Sequence, residues 1–501
     1  MRTTSTDVPR PRFHFTPRRH WMNDPNGLVH HGGLWHLYFQ HNPEGSDWGN
    51  MSWGHAVSPD LEHWTEHPVA LRHRVGEQIF SGSVVAPRSG DDVLTAYYTS
   101  AYDDGHQAQS RATSHDGGFT WQTDPGNPVL DRGTTAFRDP KVIRYDDDRT
   151  ARWVMLTVEA DDRQVLLYSS DDLVSWEHLS TFGPLGTTGV VWECPDLVRL
   201  SLDGDAADPR WVLLLSTNPA GDDADPAGSS MHYVVGHFDG TSFTPDSPEL
   251  RPLDHGRDYY AAVTFDNAPD GEVVTVGWMS NWRYAHAFPS TPWRGAMSLP
   301  RALGLRTVDG RPSLVQAPPA FVRARLEHAP TEPLAVGDSP ADLSLSGHSL
   351  VELRWDPSST GVISLQLRGE AGSFVDLVHE PRTGTLRLTR GGPPAESVHP
   401  DFPSTSTLPL PGDRPARLLL SVDGPLLEVF VGDGEATASN LVLLGSAGVT
   451  ASLETARPAT VHVTFVGGGG GAGRDAPPPG DPPPPRTTPR APPPDKQPAT
   501  T

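Results

Sequence analysis

Three times a strand-like run ends in serine and aspartate and then turns toward a tryptophan: Ser58, Asp60, Leu61 and Trp64; Ser114, Asp116 and Trp121; Ser169, Asp171, Leu173 and Trp176. The aspartates recur about every 55 residues, and a degenerate fourth copy spans Gly236 to Phe243. A unit of that length holds four strands and their turns. Such a unit cannot bury its own faces, so copies must pack on one another, and four-stranded units repeated radially make a β-propeller. About 300 residues at this period predict five blades. A sandwich with coincidental turns is the alternative left open by the repeat alone.

From about Ser349 the pattern changes to cleaner alternation, as in Val362-Ile363-Ser364-Leu365-Gln366-Leu367, Thr385-Leu386-Arg387-Leu388 and Leu427-Glu428-Val429-Phe430-Val431. Period two with turn signals between segments predicts a β-sandwich. A chain of 501 residues is in any case too long for one core. The expected fold is therefore all-β, a five-bladed β-propeller followed by a C-terminal β-sandwich. The expected divisions are a disordered N-terminus over 1–11, the propeller over 12–318, linker and sandwich over 319–466, and a tail over 467–501. Gln316-Ala317-Pro318-Pro319 interrupts strand formation at the joint. The tail, with Pro477 to Pro479 and Pro482 to Pro485, cannot bury a core and is expected to be disordered.

Composition narrows the function. A formal net charge of −23 repels phosphate backbones and anionic headgroups, so no nucleic-acid or membrane partner is expected, and a neutral substrate fits better. No apolar run approaches the roughly 20 residues that cross a bilayer. Cys194 is the one cysteine, which excludes an intrachain disulfide and a thiolate-rich metal site. Met1 to Arg12 has no apolar stretch of the kind a secretory signal needs, which gives a cytoplasmic expectation. His30, His31, His36 and His41 cluster, but without a metal-binding spacing, and read as surface or hydrogen-bonded residues. No metal or cofactor is expected, and the sequence carries no signature of an oligomeric state.

Polar stations recur in step with the repeat: Asp24, Phe80-Ser81-Gly82-Ser83, Asp139, Glu193 and Asp258-Tyr259-Tyr260-Ala261. Singly they are unremarkable, since Asn23-Asp24-Pro25-Asn26-Gly27 is a string of turn formers. Equivalent strands of successive blades line one channel, however, so these side chains are expected to converge. Carboxylates crowded together repel unless one keeps a proton, which is how a general acid is held near neutral pH. Such a set suits glycoside hydrolysis, retaining if the two carboxyls stand about 5 to 5.5 Å apart and inverting if a water separates them.

Five segments occur in one order: Trp21-Met22-Asn23-Asp24-Pro25-Asn26-Gly27, Trp53-Gly54-His55, Phe80-Ser81-Gly82-Ser83, Arg138-Asp139-Pro140 and Trp192-Glu193-Cys194-Pro195-Asp196. In this the chain resembles glycoside hydrolase family 32, the invertase, inulinase and levanase family, across residues 12 to 466. The resemblance implies that Asp24 is a nucleophile attacking the anomeric carbon of a fructosyl unit, that Glu193 is the general acid/base, and that Asp139 holds ring hydroxyls. It implies that Asn23, Gln40, Trp48, Phe80, Ser81 and Trp278 shape the fructose subsite. Arg138 is expected beside the carboxylates, orienting Asp139 and donating to a sugar hydroxyl, with a purely structural ion pair as the alternative. Trp21 and Trp282 are open between wall and core.

The stretch from Gly277 to Arg301 resembles exo-acting levanases and inulinases more than sucrose-phosphate hydrolases, which implies release of terminal fructose from fructan or sucrose. The missing secretory signal departs from polymer-degrading relatives. An invertase restricted to sucrose or short oligosaccharides, a fructosyltransferase and a non-catalytic fructan-binding protein remain alternatives. Val429-Phe430-Val431-Gly432-Asp433-Gly434 looks like the family's second domain, which implies a sandwich packed on the propeller.

Overall fold

The computed structural model describes residues 8–87, 92–147, 151–220, 227–337, 339–445 and 449–467; the predicted tail beyond Gly467 and the first seven residues lie outside them. Between His20 and Ala317 five antiparallel sheets follow one another along the chain. Their inner strands are His20–His31, Glu77–Val85, Phe137–Asp146, Val190–Ser201 and Tyr260–Thr264. Each inner strand neighbours the next, and the fifth returns to the first, so the sheets close into a β-propeller. Closure is tied by Trp293–Arg294, which pairs in parallel with His20 and Trp21.

The alternation of each strand feeds two cores. Val84 packs with Tyr38 and Trp53 of the first sheet, whereas its neighbour Val85 packs with Phe137 and Met155 of the third. Tyr98 and Tyr97 divide in the same way. In the fourth sheet Leu213 and Leu215 face the third sheet, and Val212 and Leu214 face the fifth. Both faces being buried, the strands read as nearly continuous apolar runs rather than half-polar ones.

The serine–aspartate repeat makes the turn after the third strand. Ser58 Oγ donates to Asp60 Oδ1 at 3.1 Å and Ser114 Oγ to Asp116 Oδ1 at 2.9 Å. In the third copy the pair is Ser170 and Asp172, at 3.0 Å, rather than the predicted Ser169 and Asp171. The sequence there doubles both residue types, and only the register of the ladder selects the second of each. Asp172 Oδ1 accepts the N–H groups of Val174 and Ser175 at 2.8 and 2.7 Å, an Asx-type turn. Trp64 and Trp121 close their turns by donating indole N–H to the carbonyls of Leu61 and Gly118.

After the helix Ala320–His328, two six-stranded antiparallel sheets form the β-sandwich, around a core that includes Leu365, Leu377, Leu420 and Val429. Propeller and sandwich belong to one compact unit. Between them lies a buried ionic network. Arg301 donates to Glu428 Oε2 at 2.6 Å and to Asp254 Oδ2 at 2.9 Å, and Arg390 pairs with Asp258. The N-terminal segment runs along this interface, where Val8 packs with Tyr284, Phe402 and Leu426. His14 bridges Asp423 at 2.7 Å and Glu428 at 3.0 Å. Burial alone would lower its pKa, but hydrogen bonds and charge from the two carboxylates outweigh that and raise it to about 9.

Arg301→Met leaves the buried Asp254 without its cation and the buried Glu428 with His14 alone. Breaking a buried pair from one side costs about 3–5 kcal/mol, which urea unfolding should read as a lower midpoint. A loss below about 1 kcal/mol, the size of a surface pair, would mean that the network does not join the two parts.

Candidate active site

Each inner strand loses register with its partner strand, between Met22 and Pro25, Ile79 and Gly82, Arg138 and Lys141, Glu193 and Asp196, and Tyr260 and Val263, and the first does so again between Asn26 and Val29. A bulge of this kind re-aims side chains that a regular ladder would send to the neighbouring sheets. Asp24 and Ser81 are the second unpaired residues of their bulges, Asp139 is the first of its own, and Arg138, Glu193 and Tyr260 immediately precede theirs. Asp139, Cys194 and Ala261 take φ of 61°, 47° and 52°, a region that strains residues with a side chain.

Residues at the bulges of the first four sheets line one cavity of about 330 Å³, onto which Asp24, Asp139 and Glu193 all face. Of the predicted subsite residues, Asn23, Gln40, Trp48, Phe80, Ser81 and Arg138 line it. Asp24 is held from both sides: Asn23 Nδ2 donates to Oδ1 at 2.9 Å and Ser81 Oγ to Oδ2 at 2.7 Å. Glu193 Oε1 accepts twice from Arg138, at 3.2 and 3.1 Å, and Oε2 accepts from the Tyr260 hydroxyl. Asp139 Oδ2 accepts from the backbone N–H of Cys194 at 2.9 Å. The Cys194 thiol lies near Asp24 and Asp139, with Sγ 3.7 Å from both Asp24 Oδ2 and Asp139 Oδ2. At the rim Trp48 stands edge-on to Phe80, ring centroids 5.9 Å apart.

The electrostatics follow from burial and from like charges. Burial raises the pKa of Asp24, Glu193 raises it further, and the bonds from Ser81 and Asn23 oppose them. Asp139 is pushed up to about 7, by burial first and by Glu193, with Arg138 and the Cys194 N–H pulling the other way. A crowded trio facing one guanidinium keeps a proton at pH values where isolated carboxyls have lost theirs. The pocket therefore offers ionised carboxylate and available proton side by side, as substitution at an acetal carbon requires.

The chain is similar to known proteins along most of its length. Residues 14–318 match the glycosyl hydrolases family 32 N-terminal domain, and residues 323–463 match the glycosyl hydrolases family 32 C-terminal domain. The chain belongs to glycosyl hydrolase family 32. It is 36% identical over 500 residues to an extracellular exo-inulinase of Aspergillus awamori, covering 89% of this chain and 91% of that one. It is 38% identical over 458 residues to a levanase of Bacillus subtilis, covering 87% and 66%. The crystal structure of the A. awamori exo-inulinase matches with a TM-score of 0.83 at 34% identity, covering 92% of this chain and 98% of that one. A variant fructofuranosidase of Schwanniomyces occidentalis, complexed with fructosylnystose, matches with a TM-score of 0.82 at 28% identity, covering 93% and 99%. This family 32 chain is thus a glycoside hydrolase.

Two expectations need correction within the family 32 site. Trp278 does not line the cavity: it is 1% exposed, with ring centroids 6.1 Å from Trp21 and 4.9 Å from Trp282. It pairs with Tyr260 from the second strand of the fifth sheet, one strand further from the axis. Trp282, left open by the sequence, lines the cavity instead. Asp258 is not the fifth polar station either, because it is fully buried against Tyr284, Arg390 and the N–H of Leu441. Tyr260, two residues on and itself buried, reaches the site only through its hydroxyl on Glu193. Gln107 and Asn218 also line the cavity from strands that are not innermost, so the repeat gave no signal for them. Of the clustered histidines, His41 donates to the Trp21 carbonyl and His36 meets His55; among the described residues no group of three or more His, Cys, Asp or Glu could hold a metal.

Burial and three surrounding carboxylates hold the Cys194 thiol well above its usual pKa, and it is 5% exposed. A thiol kept protonated is inert. Iodoacetamide at pH 8 should leave the folded chain unlabelled by intact-mass measurement and label it once in denaturant; labelling of the folded protein would contradict this environment.

Proposed function

We propose that the chain is a retaining, exo-acting β-fructosidase that hydrolyses terminal β-D-fructofuranosyl residues of fructans and sucrose. The observation that carries this reading is the presence, in one small cavity, of Asp24, held by neutral donors only, and Glu193, held by Arg138 and Tyr260. Asp24, gripped by hydrogen bonds rather than an ion pair, keeps its nucleophilic charge for the anomeric carbon. Its oxygen forms the ester bond as the glycosidic C–O bond breaks, and Glu193 gives its proton to the departing oxygen. Glu193 then takes a proton from water, whose oxygen attacks the same carbon and frees Asp24, so two inversions leave the configuration retained. Asp139 and Arg138 hold ring hydroxyls during both steps.

A cavity near the lower end of ligand-pocket volumes suits one terminal sugar taken end-on rather than a groove threaded by a polymer. The relatives named exo-inulinase and levanase, and the complex with fructosylnystose, support a fructan substrate.

The test is chromatography of products from levan, inulin and sucrose, with Asp24→Ala as control. Free fructose as the sole early product from a polymer, absent with the variant, is the expected result. Early oligosaccharides would mean endo cleavage, fructosylated sucrose at high concentration would mean transfer, sugar from sucrose alone would mean an invertase, and no product at all a binding protein. Glu193→Gln should be slowed about 10²- to 10⁴-fold on sucrose, and a mild effect would sink its role.

The pH profile gives a further check. Asp24 must be charged to attack, and its pKa is raised, so kcat/KM should fall on acidification at a higher pH than the ordinary aspartate value of 3.8. An acidic limb at or below that value would refute the assignment.

A further inference from the structure

Beneath the cavity floor a donor chain runs from the aromatic cluster to the proposed nucleophile. Trp21 is fully buried, and its indole Nε1 donates to Asn23 Oδ1 at 2.7 Å. Asn23 Nδ2 in turn donates to Asp24 Oδ1 at 2.9 Å. An amide has two ends of nearly equal shape, and which one faces a carboxylate is decided by its other partner. Indole N–H can only donate, so it must take the carbonyl end of Asn23 and leave the NH₂ end for Asp24.

The indole itself is fixed. Its backbone N–H donates to the Gly45 carbonyl at 3.0 Å, and its own carbonyl accepts from His41 Nδ1 at 2.8 Å. His286 stacks on the ring at 4.8 Å and 22°, and Trp282 stacks at 6.0 Å and 27°. Without the indole N–H, Asn23 is free to present its carbonyl oxygen to the carboxylate, acceptor against acceptor.

We propose that Trp21 is a positioning residue for the reaction, orienting the Asn23 amide so that it donates to Asp24 and keeps that carboxylate charged and aimed. The proposal rests on Asp24 being the nucleophile. Because the Asn23 bond favours the charged form of Asp24, its loss moves the acidic limb to higher pH.

The first experiment compares Trp21→Phe with Trp278→Phe. Trp278 belongs to the same aromatic cluster, and its indole N–H meets no acceptor among the described residues, so it loses similar packing without touching the chain. The expected result for Trp21→Phe is a kcat on sucrose lower by about tenfold, a KM that changes much less, and an acidic limb displaced upward. Trp278→Phe should leave the limb in place. Equal displacement in both variants, or none in either, overturns the proposal, and thermal unfolding of each shows whether the fold survives.

The second experiment needs no turnover. With ¹⁵N-labelled tryptophan, the indole resonance lost in Trp21→Phe identifies Trp21, and it should titrate in the wild type and stop doing so in Asp24→Asn. The neighbours that face Asp24 are Glu193, Asp139, Cys194, Tyr260 and, through the two carboxylates, Arg138; those that face Trp21 are His41 and His286. A titration that persists in Asp24→Asn comes from one of these and overturns the proposal. If the wild type releases no fructose while the indole still titrates with Asp24, the functional reading fails and the role in the reaction falls with it, whereas the orientation of Asn23 by the indole stands.

Discussion

A regular inner strand in this propeller has no side chain to spare for a site. Because the sheets stand face to face, alternate residues go to the two neighbouring sheets, as Val84 and Val85 do, and nothing points along the axis. The bulge in each inner strand changes this. It leaves two residues unpaired and turns the local backbone, so that polar side chains leave the inter-sheet cores and meet in the channel. Chemistry and architecture therefore occupy the same strands, and the ladder interruption that weakens each strand is the feature that gives it a functional side chain.

This explains which parts of the molecule were legible in its sequence. The period of the Ser–x–Asp turns and the two-sided apolar strands are properties of whole units, and they survive an error of one residue. Placement inside a bulge does not. Asp24, Asp139 and Glu193 occupy different positions relative to their bulges, so equal spacing located the right neighbourhood in every sheet but selected Asp258 where Tyr260 belongs. No local pattern could separate the two, since Asp258 is claimed by Arg390, far along the chain in the sandwich. Trp278 and Trp282 differ in the same way. Both are aromatic and neighbours in sequence, but only the pairing of Trp278 with Tyr260 shows that it lies one strand behind the wall.

The same short stretch shows how the sandwich bears on the site. Asp258 accepts from Arg390 and from the Leu441 N–H, both sandwich groups, while Tyr260 donates to Glu193. One end of the segment is pinned by a buried ion pair and the other supports the proposed acid/base. A buried pair of this kind adds little net stability compared with apolar packing, but it is costly to break from one side, and that makes it a device for fixing register. The position of Tyr260 thus depends on a contact made in the other part of the molecule.

The site is expensive for the fold in ways that the cores must offset. Asp139, Cys194 and Ala261 hold backbone conformations unfavourable by about 1–3 kcal/mol each, and burial opposes the charged forms of Asp24 and Asp139. Exposure to the cavity offsets the second cost only in part, since Asp139 is 6% exposed. What the protein uses instead is a shell of donors that cannot reverse: the Cys194 backbone N–H on Asp139, the guanidinium on Glu193, and the indole behind Asn23. Groups with a single possible sense of donation fix orientation without relying on precise packing, and a buried carboxylate cluster needs that property most, because a flipped amide or rotated hydroxyl there would set acceptor against acceptor in a medium too poor in water to compensate.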